Sequence, residues 1–203
     1  MLTLAFNTSS SLISIALFAD GKLIDFHESS ESGKQSELLL VKINEILTKN
    51  KISYQQLNLI AASNGPGSFT GTRISTTCAK TMAIALQKPL ILINNLDALA
   101  FANKELIAKN QNLVIALDAG FNEFFIANYI TKNNEIENSN KAELLSLDEL
   151  QNLEKKQKII VKKLEEISAI LIANYALVEF RKGKLSQKQT LYLRDPKIGV
   201  RRK

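Results

Sequence analysis

The stretch LTLAFNTSSSLISIALF at residues 2–18 has a counterpart further along the chain, LVIALDAGFNEFFIANY at residues 113–129. The two align without a gap at an offset of 111 residues, and most strand positions are apolar in both. Each shows the period-two pattern of two short strands joined by a turn, with Asn7 and Asp118 at matching strand ends. The repetition predicts two related α/β units, although two hydrophobic hairpins could also match by chance.

Around the repeats, strand patterns alternate with helix patterns. In the first half they predict the order βββαβαβα, which is typical of a mixed sheet covered by helices. The second half is shorter, and we expect one unit over residues 1–100 and a reduced one over residues 101–203. The predicted strands are 2–7, 12–18, 22–27, 57–63, 90–93 and 158–162. Helices are predicted over 37–49 with Ser36 as the cap, up to residue 86 from Gly71 or Arg73, after a cap at Asp97, and over 146–156 and 164–180. A polar loop is predicted at 132–140.

Composition indicates a folded protein of a reducing compartment. Of the 203 residues, 45% are hydrophobic and 23% are charged, which is enough apolar material for a core and too little charge for a disordered chain. No apolar run approaches the roughly 20 residues that span a bilayer, and no leader pattern opens the chain, so we expect a cytoplasmic protein without a membrane anchor. Cys78 is the only cysteine, which excludes an internal disulfide.

The net charge of +6 is concentrated at the C-terminal end. Residues 181–203 hold nine Lys/Arg and one acidic residue, whereas the first 180 residues hold 17 basic and 19 acidic residues. This basic tail is therefore the candidate contact for an anionic partner such as RNA.

The most specific segment is GPGSFTGTR at residues 65–73. It is not a P-loop, because no glycine is followed by Lys-Ser/Thr at the required spacing. One interpretation is a strand-to-helix turn that needs glycine at two backbone positions. The other is a loop whose amides between Gly67 and Gly71 face an anion or a partner chain. The candidate residues of this motif loop are Gly65, Pro66, Gly67, Ser68, Phe69, Thr70, Gly71 and Arg73.

This segment closely resembles the signature of the TsaB/YeaZ family, and further matches extend the resemblance along the chain. Thr8-Ser9 matches the first strand's end, although Asn7 replaces the family's usual aspartate. Gln35 replaces a usual histidine at the helix-opening stretch, and Gly120 replaces a common arginine after Leu117-Asp118-Ala119. Tyr192-Leu193-Arg194 matches the C-terminal signature. The resemblance is strong over residues 1–100 and loose beyond them.

The resemblance implies the actin/Hsp70-like ATPase superfold, with two RNase H-like lobes, mixed sheets and a shortened second lobe. It implies a non-catalytic partner of a TsaD-type transferase, which forms threonylcarbamoyladenosine in tRNA beside the anticodon. It further implies a TsaE-type ATPase as a partner, a homodimer when the chain is alone, tRNA contact only within the complex, and no cofactor beyond ATP or ADP at a partner interface. The alternatives are an active kinase or carbamoyl transferase of the same superfold, or a free-standing tRNA-binding protein.

No metal site and no catalytic residue is expected. Asn95 and Leu99 stand where the TsaD paralogue would carry the two histidines of its metal motif, and leucine cannot ligate a metal. His27 is the only histidine, which excludes a multi-histidine zinc site. Asp118 could hold a nucleotide-bound cation, but Asn7 lacks the paired charge. We expect Asn7, Thr8 and Asp118 to form a vestigial nucleotide site.

Two helices carry more apolar surface than one buried face needs, so either both lie deep in the domain or each has a partner. Helix 37–49 is apolar beyond a single stripe, and helix 74–86 has no acidic residue and many small ones. The regular stripe of Leu39, Ile43, Ile46 and Leu47 is assigned to the core. The predicted partner-binding residues are Leu38, Leu40, Val41, Thr76, Lys80 and Ala83.

Overall fold

Two five-stranded sheets and five α-helices make up the part of the chain that the computed structural model describes. That part comprises residues 1–30, 33–106, 113–132, 135–156, 159–162 and 167–185. The first sheet has the order β3-β2-β1-β4-β5, with β1, β2 and β3 antiparallel and β4 and β5 parallel to β1. Its strands are β1 (Leu2–Asn7), β2 (Leu12–Ala19), β3 (Lys22–Ser30), β4 (Leu59–Ser63) and β5 (Leu90–Ile93).

The second sheet repeats the opening hairpin of the first. Its order is β10-β6-β7-β8; β6 and β7 form the antiparallel pair, β9 also pairs with β7, and β10 runs parallel to β6. Both copies of the sequence repeat are therefore strand hairpins, as predicted. The strands are β6 (Leu113–Asp118), β7 (Glu123–Lys132), β8 (Glu135–Asn138), β9 (Glu143–Ser146) and β10 (Ile159–Lys162).

Five helices cover the sheets, and the order βββαβαβα predicted for the first half of the chain holds. In the second half the strands β8 and β9, which were not predicted, precede the fourth helix. Short 3₁₀ turns occur at Tyr54–Gln56 and Lys104–Leu106. The helices are α1 (Gln35–Lys49), α2 (Phe69–Leu86), α3 (Asn95–Ala102), α4 (Leu147–Glu154) and α5 (Ala169–Arg181).

Alternating residues of β1 point into two different cores. Leu4 and Phe6 pack with residues of α1 and α2 on one face of the first sheet. Ala5 packs on the other face in a cluster that also contains Ile115 of β6 and Ile172 of α5. Helix α5 contacts β1, β2, β4 and β5, so an element from the second half of the chain completes the core of the first sheet. The boundary between residues 100 and 101 remains a prediction.

Several predicted boundaries and caps are wrong. Helix α1 begins at Gln35, after Lys34, whose side chain makes no capping hydrogen bond; Ser36 therefore lies inside the helix and does not cap it. Helix α2 starts at Phe69 because the Ser68 hydroxyl accepts the Gly71 amide. Asn94 rather than Asp97 caps α3, because the Asn94 side-chain oxygen already accepts the amides of the next turn.

Further differences between the predicted and the observed elements lie in the second half of the chain. The predicted polar loop contains β8, whose alternating Glu135, Ile136 and Glu137 pair with β7 at the edge of the sheet. Helix α5 begins at Ala169 after the cap Ser168, and the predicted start at residue 164 lies outside the described residues. No helix within the described ranges combines the length and hydropathy needed to cross a bilayer.

Candidate functional site: the α1/α2 groove and the motif loop

The motif loop at residues 65–71 is held by hydrogen bonds within the protein. The Ser68 amide donates to the Ser9 carbonyl at 2.7 Å, and the Thr8 hydroxyl donates to the Gly71 carbonyl at 2.7 Å. A Cβ atom at Gly71 would lie 1.8 Å from the Thr8 carbonyl oxygen, so glycine is required there by close backbone approach. These contacts favour the interpretation of the motif as a strand-to-helix turn that locks the β1–β2 turn against α2.

Asn95 organises the polar core behind this loop. Its side-chain amide donates to the Ser9 hydroxyl and to the Pro66 carbonyl, both at 2.8 Å, and its oxygen accepts the Ser63 hydroxyl at 2.8 Å. Leu99, one helical turn later, is buried in the apolar core. The two positions that would carry metal ligands in the TsaD paralogue therefore serve packing and loop attachment.

The three residues of the expected vestigial nucleotide site are also engaged internally. The Asn7 amide donates to the Ile167 carbonyl at 2.7 Å, and its oxygen accepts the Ser9 amide at 2.8 Å. Thr8 is fully buried and bound to Gly71. Asp118 is half-buried and accepts the Gly120 amide at 2.7 Å. Each polar side chain thus stabilises a local turn or a contact between elements.

The outer face of α1 is apolar and exposed. Leu39, Ile43, Ile46 and Leu47 are buried, as predicted from their stripe. Leu40 is 53% and Val41 48% exposed, whereas Leu38 is half-buried and packs on the core.

On α2 one of the three predicted partner-binding residues, Thr76, is buried. Thr76 is only 2% exposed, and its hydroxyl donates to the Thr72 carbonyl at 2.7 Å, so its assignment to a partner face is wrong. Lys80 and Ala83 are half-buried. The exposed residues of α2 include Arg73, Thr77, Thr81 and Ile84, which lie on a neighbouring stripe of the helix; Ile84 is 79% exposed. A signal was present in the sequence, because Thr72, Ser75, Thr76 and Ala79 share one helical stripe of small residues that fits closely against a sheet.

Between the two helices lies an open, largely apolar groove. Its volume is about 460 Å³, and Leu39, Leu40, Ile74, Cys78 and Met82 contribute to its walls. Arg73 stands at the groove with its guanidinium 3.7 Å from the ring centroid of Phe69. Burial raises the pKa of the Cys78 thiol to about 11. We refer to this groove as the α1/α2 groove; Leu40 in its wall is exposed, as are Val41 and Ile84 on the same two helices.

Part of the basic tail is neutralised within the fold. Lys182 pairs with Glu135 at 2.9 Å, and this hydrogen bond is the main cause of a raised Lys182 pKa. Lys184 pairs with Glu179 at 2.8 Å. Arg181, the last residue of α5, is exposed. The other six basic residues of the tail and the Tyr192-Leu193-Arg194 signature lie outside the described residues.

The fold and the motif loop define the class of protein to which this chain belongs. Two mixed α/β sheets related by a hairpin repeat, with the motif loop between β4 and α2, are those of the actin/RNase H-like superfold. Two solved YeaZ structures from Pseudomonas aeruginosa share the fold, with TM-scores of 0.77 and 0.75 at 21% and 20% identity; each alignment covers 95% of this chain and 99% of the other.

Residues 30–192 match the family described as TsaD: tRNA N6-adenosine threonylcarbamoyltransferase. The chain belongs to this family, and within it to the TsaB/YeaZ group. It is 34% identical to the tRNA threonylcarbamoyladenosine biosynthesis protein TsaB of Haemophilus influenzae over 127 residues, which cover 63% of this chain and 53% of that relative. It is 27% identical to the TsaB of Buchnera aphidicola subsp. Acyrthosiphon pisum over 197 residues, covering 96% and 84%. The chain thus spans about half of the first relative and most of the second.

Proposed function

We propose that this protein is a non-catalytic partner of a TsaD-type transferase in the threonylcarbamoyladenosine modification of tRNA. The names of its TsaB relatives support the pathway. Similarity to tRNA N6-adenosine threonylcarbamoyltransferases over part of the chain supports a TsaD-like partner of related fold.

The observation that carries the proposal is the α1/α2 groove. Leu40, Val41 and Ile84 expose apolar side chains along two adjacent helices, and the groove between them is open to solvent. Covering one such side chain contributes roughly 1.5–3 kcal/mol, so a partner helix seated here would gain several kcal/mol. The same surface serves a second copy of the chain when the transferase is absent.

The absence of catalysis is part of the proposal and is supported by the chemistry of the vestigial site. The polar groups of Asn7, Thr8 and Asp118 at that site, and of Asn95 at the former metal-ligand position, form hydrogen bonds within the protein. A cation or nucleotide bound there would have to break those bonds. We expect the purified protein to hold less than stoichiometric zinc or iron and to hydrolyse ATP at the rate of a buffer control; turnover that Asp118→Ala abolishes would establish an active kinase or transferase instead.

The wider assembly follows from the same proposal. A TsaE-type ATPase joins the transferase complex in the cytoplasm, ATP or ADP sits at a partner interface, and tRNA is contacted only within the complex. Salt-sensitive tRNA binding by the protein alone would favour a free-standing RNA-binding role.

The deciding experiment is co-purification with the TsaD-type transferase from the same source. Leu40→Glu and Ile84→Arg should each abolish co-purification and convert the free dimer to a monomer in light scattering, because an unpaired charge in an apolar interface is strongly unfavourable. Exposed Lys141, in the second half of the chain, provides the matched control Lys141→Glu. Unchanged binding by both groove variants would place the interface elsewhere.

A further inference from the structure

A second cavity lies on the opposite side of the first sheet from the α1/α2 groove. It has a volume of about 630 Å³ and is enclosed by α3, α5, β7 and β8. Cavities of this size hold small molecules. Its walls belong to the core shared by both sheets, whereas the groove belongs to the core under α1 and α2. The two sites therefore share no element.

Aromatic rings form one wall of this cavity. The rings of Phe101 and Tyr175 lie with centroids 5.1 Å apart at an interplanar angle of 31°. Tyr129, also on the wall, donates its hydroxyl to Asp97 at 2.8 Å and is held in one orientation. A planar apolar group could stack on the pair without disturbing this hydrogen bond.

Charged side chains of the lining lie next to two different rings, which we refer to as the two ends of the cavity: carboxylates near Tyr175 and the Lys104 ammonium near Phe101. At one end the Tyr175 phenol is buried, and burial together with the nearby carboxylates of Asp97, Glu179 and Glu135 raises its pKa. Of these carboxylates, Glu135 contacts Lys182, Glu179 contacts Lys184, and Asp97 accepts the Tyr129 hydroxyl. Within the described ranges, the Tyr175 hydroxyl has no hydrogen-bond partner.

At the other end stands Lys104. Its ammonium lies 5.4 Å from the centroid of the Phe101 ring. Among the residues that the structure describes, it forms no ion pair with a carboxylate. The aromatic wall thus has a cation beside Phe101 and carboxylates near Tyr175, so the cavity presents charges of both signs.

We propose that this cavity binds a small zwitterion with an aromatic side group, of the aromatic amino-acid type. The protonated amine lies at the Tyr175 hydroxyl and accompanying carboxylates, the carboxylate lies at Lys104, and the ring stacks on Phe101 and Tyr175. A simple anion meets four acidic side chains in the lining, and a simple cation leaves Lys104 without a counter-charge. A zwitterion satisfies both ends.

The test uses three probes that share one ring: phenylalanine, phenethylamine without the carboxylate, and 3-phenylpropionate without the amine. Calorimetric titration of the full chain should give the tightest binding for phenylalanine, with each analogue about tenfold weaker or more, since one charge-assisted hydrogen bond is lost. Binding of an analogue as tight as that of phenylalanine, or no heat with phenylalanine at millimolar concentrations, overturns the proposal.

Two variants test which side chain contacts each charged end of the ligand. Lys104→Ala should weaken phenylalanine and 3-phenylpropionate by about tenfold and leave phenethylamine unchanged. Tyr175→Phe keeps the ring and should weaken phenylalanine and phenethylamine only. Exposed Lys141→Ala is the control, and circular dichroism checks that each variant is folded. Equal losses for all three probes would overturn the assignment of the ends. Dimer formation through the α1/α2 groove is measured in parallel, so the outcome is independent of the proposed function.

Discussion

The side-chain amide of Asn7 donates a hydrogen bond to the backbone carbonyl of Ile167, 2.7 Å away, and so ties the end of β1 to the segment that opens α5. The two residues are 160 positions apart in the sequence, and both are buried. An aspartate, which the family resemblance places at this position, cannot donate when ionised. The asparagine is thus explained by the contact with Ile167, which holds the second half of the chain against the first sheet.

Asn7→Asp should destabilise the protein by about 3 kcal/mol at neutral pH, because the Ile167 carbonyl loses its donor and faces a buried carboxylate. Urea unfolding measures the change. The exposed Asn44 on α1 provides the control Asn44→Asp, which should stay within about 0.5 kcal/mol of wild type. Equal stability of Asn7→Asp and the wild type would show that the Asn7–Ile167 bond contributes nothing.

Gly71→Ala should be strongly destabilising, by about 3 kcal/mol or more, because its methyl group would meet the Thr8 backbone oxygen. Gly33→Ala is a useful comparison, since nothing lies within 4 Å of its added Cβ and only the positive φ of 81° opposes it. That strain costs about 1 kcal/mol. Similar melting temperatures for the two variants would contradict the close approach of Gly71 to Thr8.

Arginine at two positions of α2 should give opposite phenotypes. Ile84→Arg places a charge on an exposed face and should leave the melting transition intact while abolishing pairing. Thr76→Arg forces a charge into the contact with β4 and should lower stability by several kcal/mol. Thermal melting combined with light scattering separates the two effects. A folded, monomeric Thr76→Arg variant would mean that the register of α2 on the sheet is different.

The alkylation rate of the Cys78 thiol should show whether a partner occupies the α1/α2 groove. The thiolate is the reactive form, and with a pKa of about 11 the free protein should react slowly at pH 8. Its alkylation rate should rise roughly tenfold per pH unit between pH 8 and 10, in proportion to the thiolate fraction. Mass spectrometry after iodoacetamide treatment measures this. Bound transferase should slow the reaction further, and the Ile84→Arg variant should show no such protection.

The sequence by itself determined the local elements. Alternating apolar residues specify the β1–β2 and β6–β7 hairpins, because side chains of a strand point to alternate faces. The glycine-rich motif specifies a tight turn, and the stripe from Leu39 to Leu47 specifies the buried face of α1, because both depend on neighbours within one turn or one helix.

The tertiary structure decided which surfaces remain free. Thr76 and Thr77 are adjacent in the sequence and chemically alike, yet one is buried and the other exposed. A helix rich in small residues can pack on a sheet in more than one rotation, and close packing against β4 selects the rotation. The role of Asn7 likewise depends on Ile167, a partner too distant in the chain for any local pattern to indicate. The aromatic cavity arises in the same way, because Phe101, Tyr129 and Tyr175 meet only when α5 crosses back onto the first sheet and completes a core that neither half of the chain forms alone.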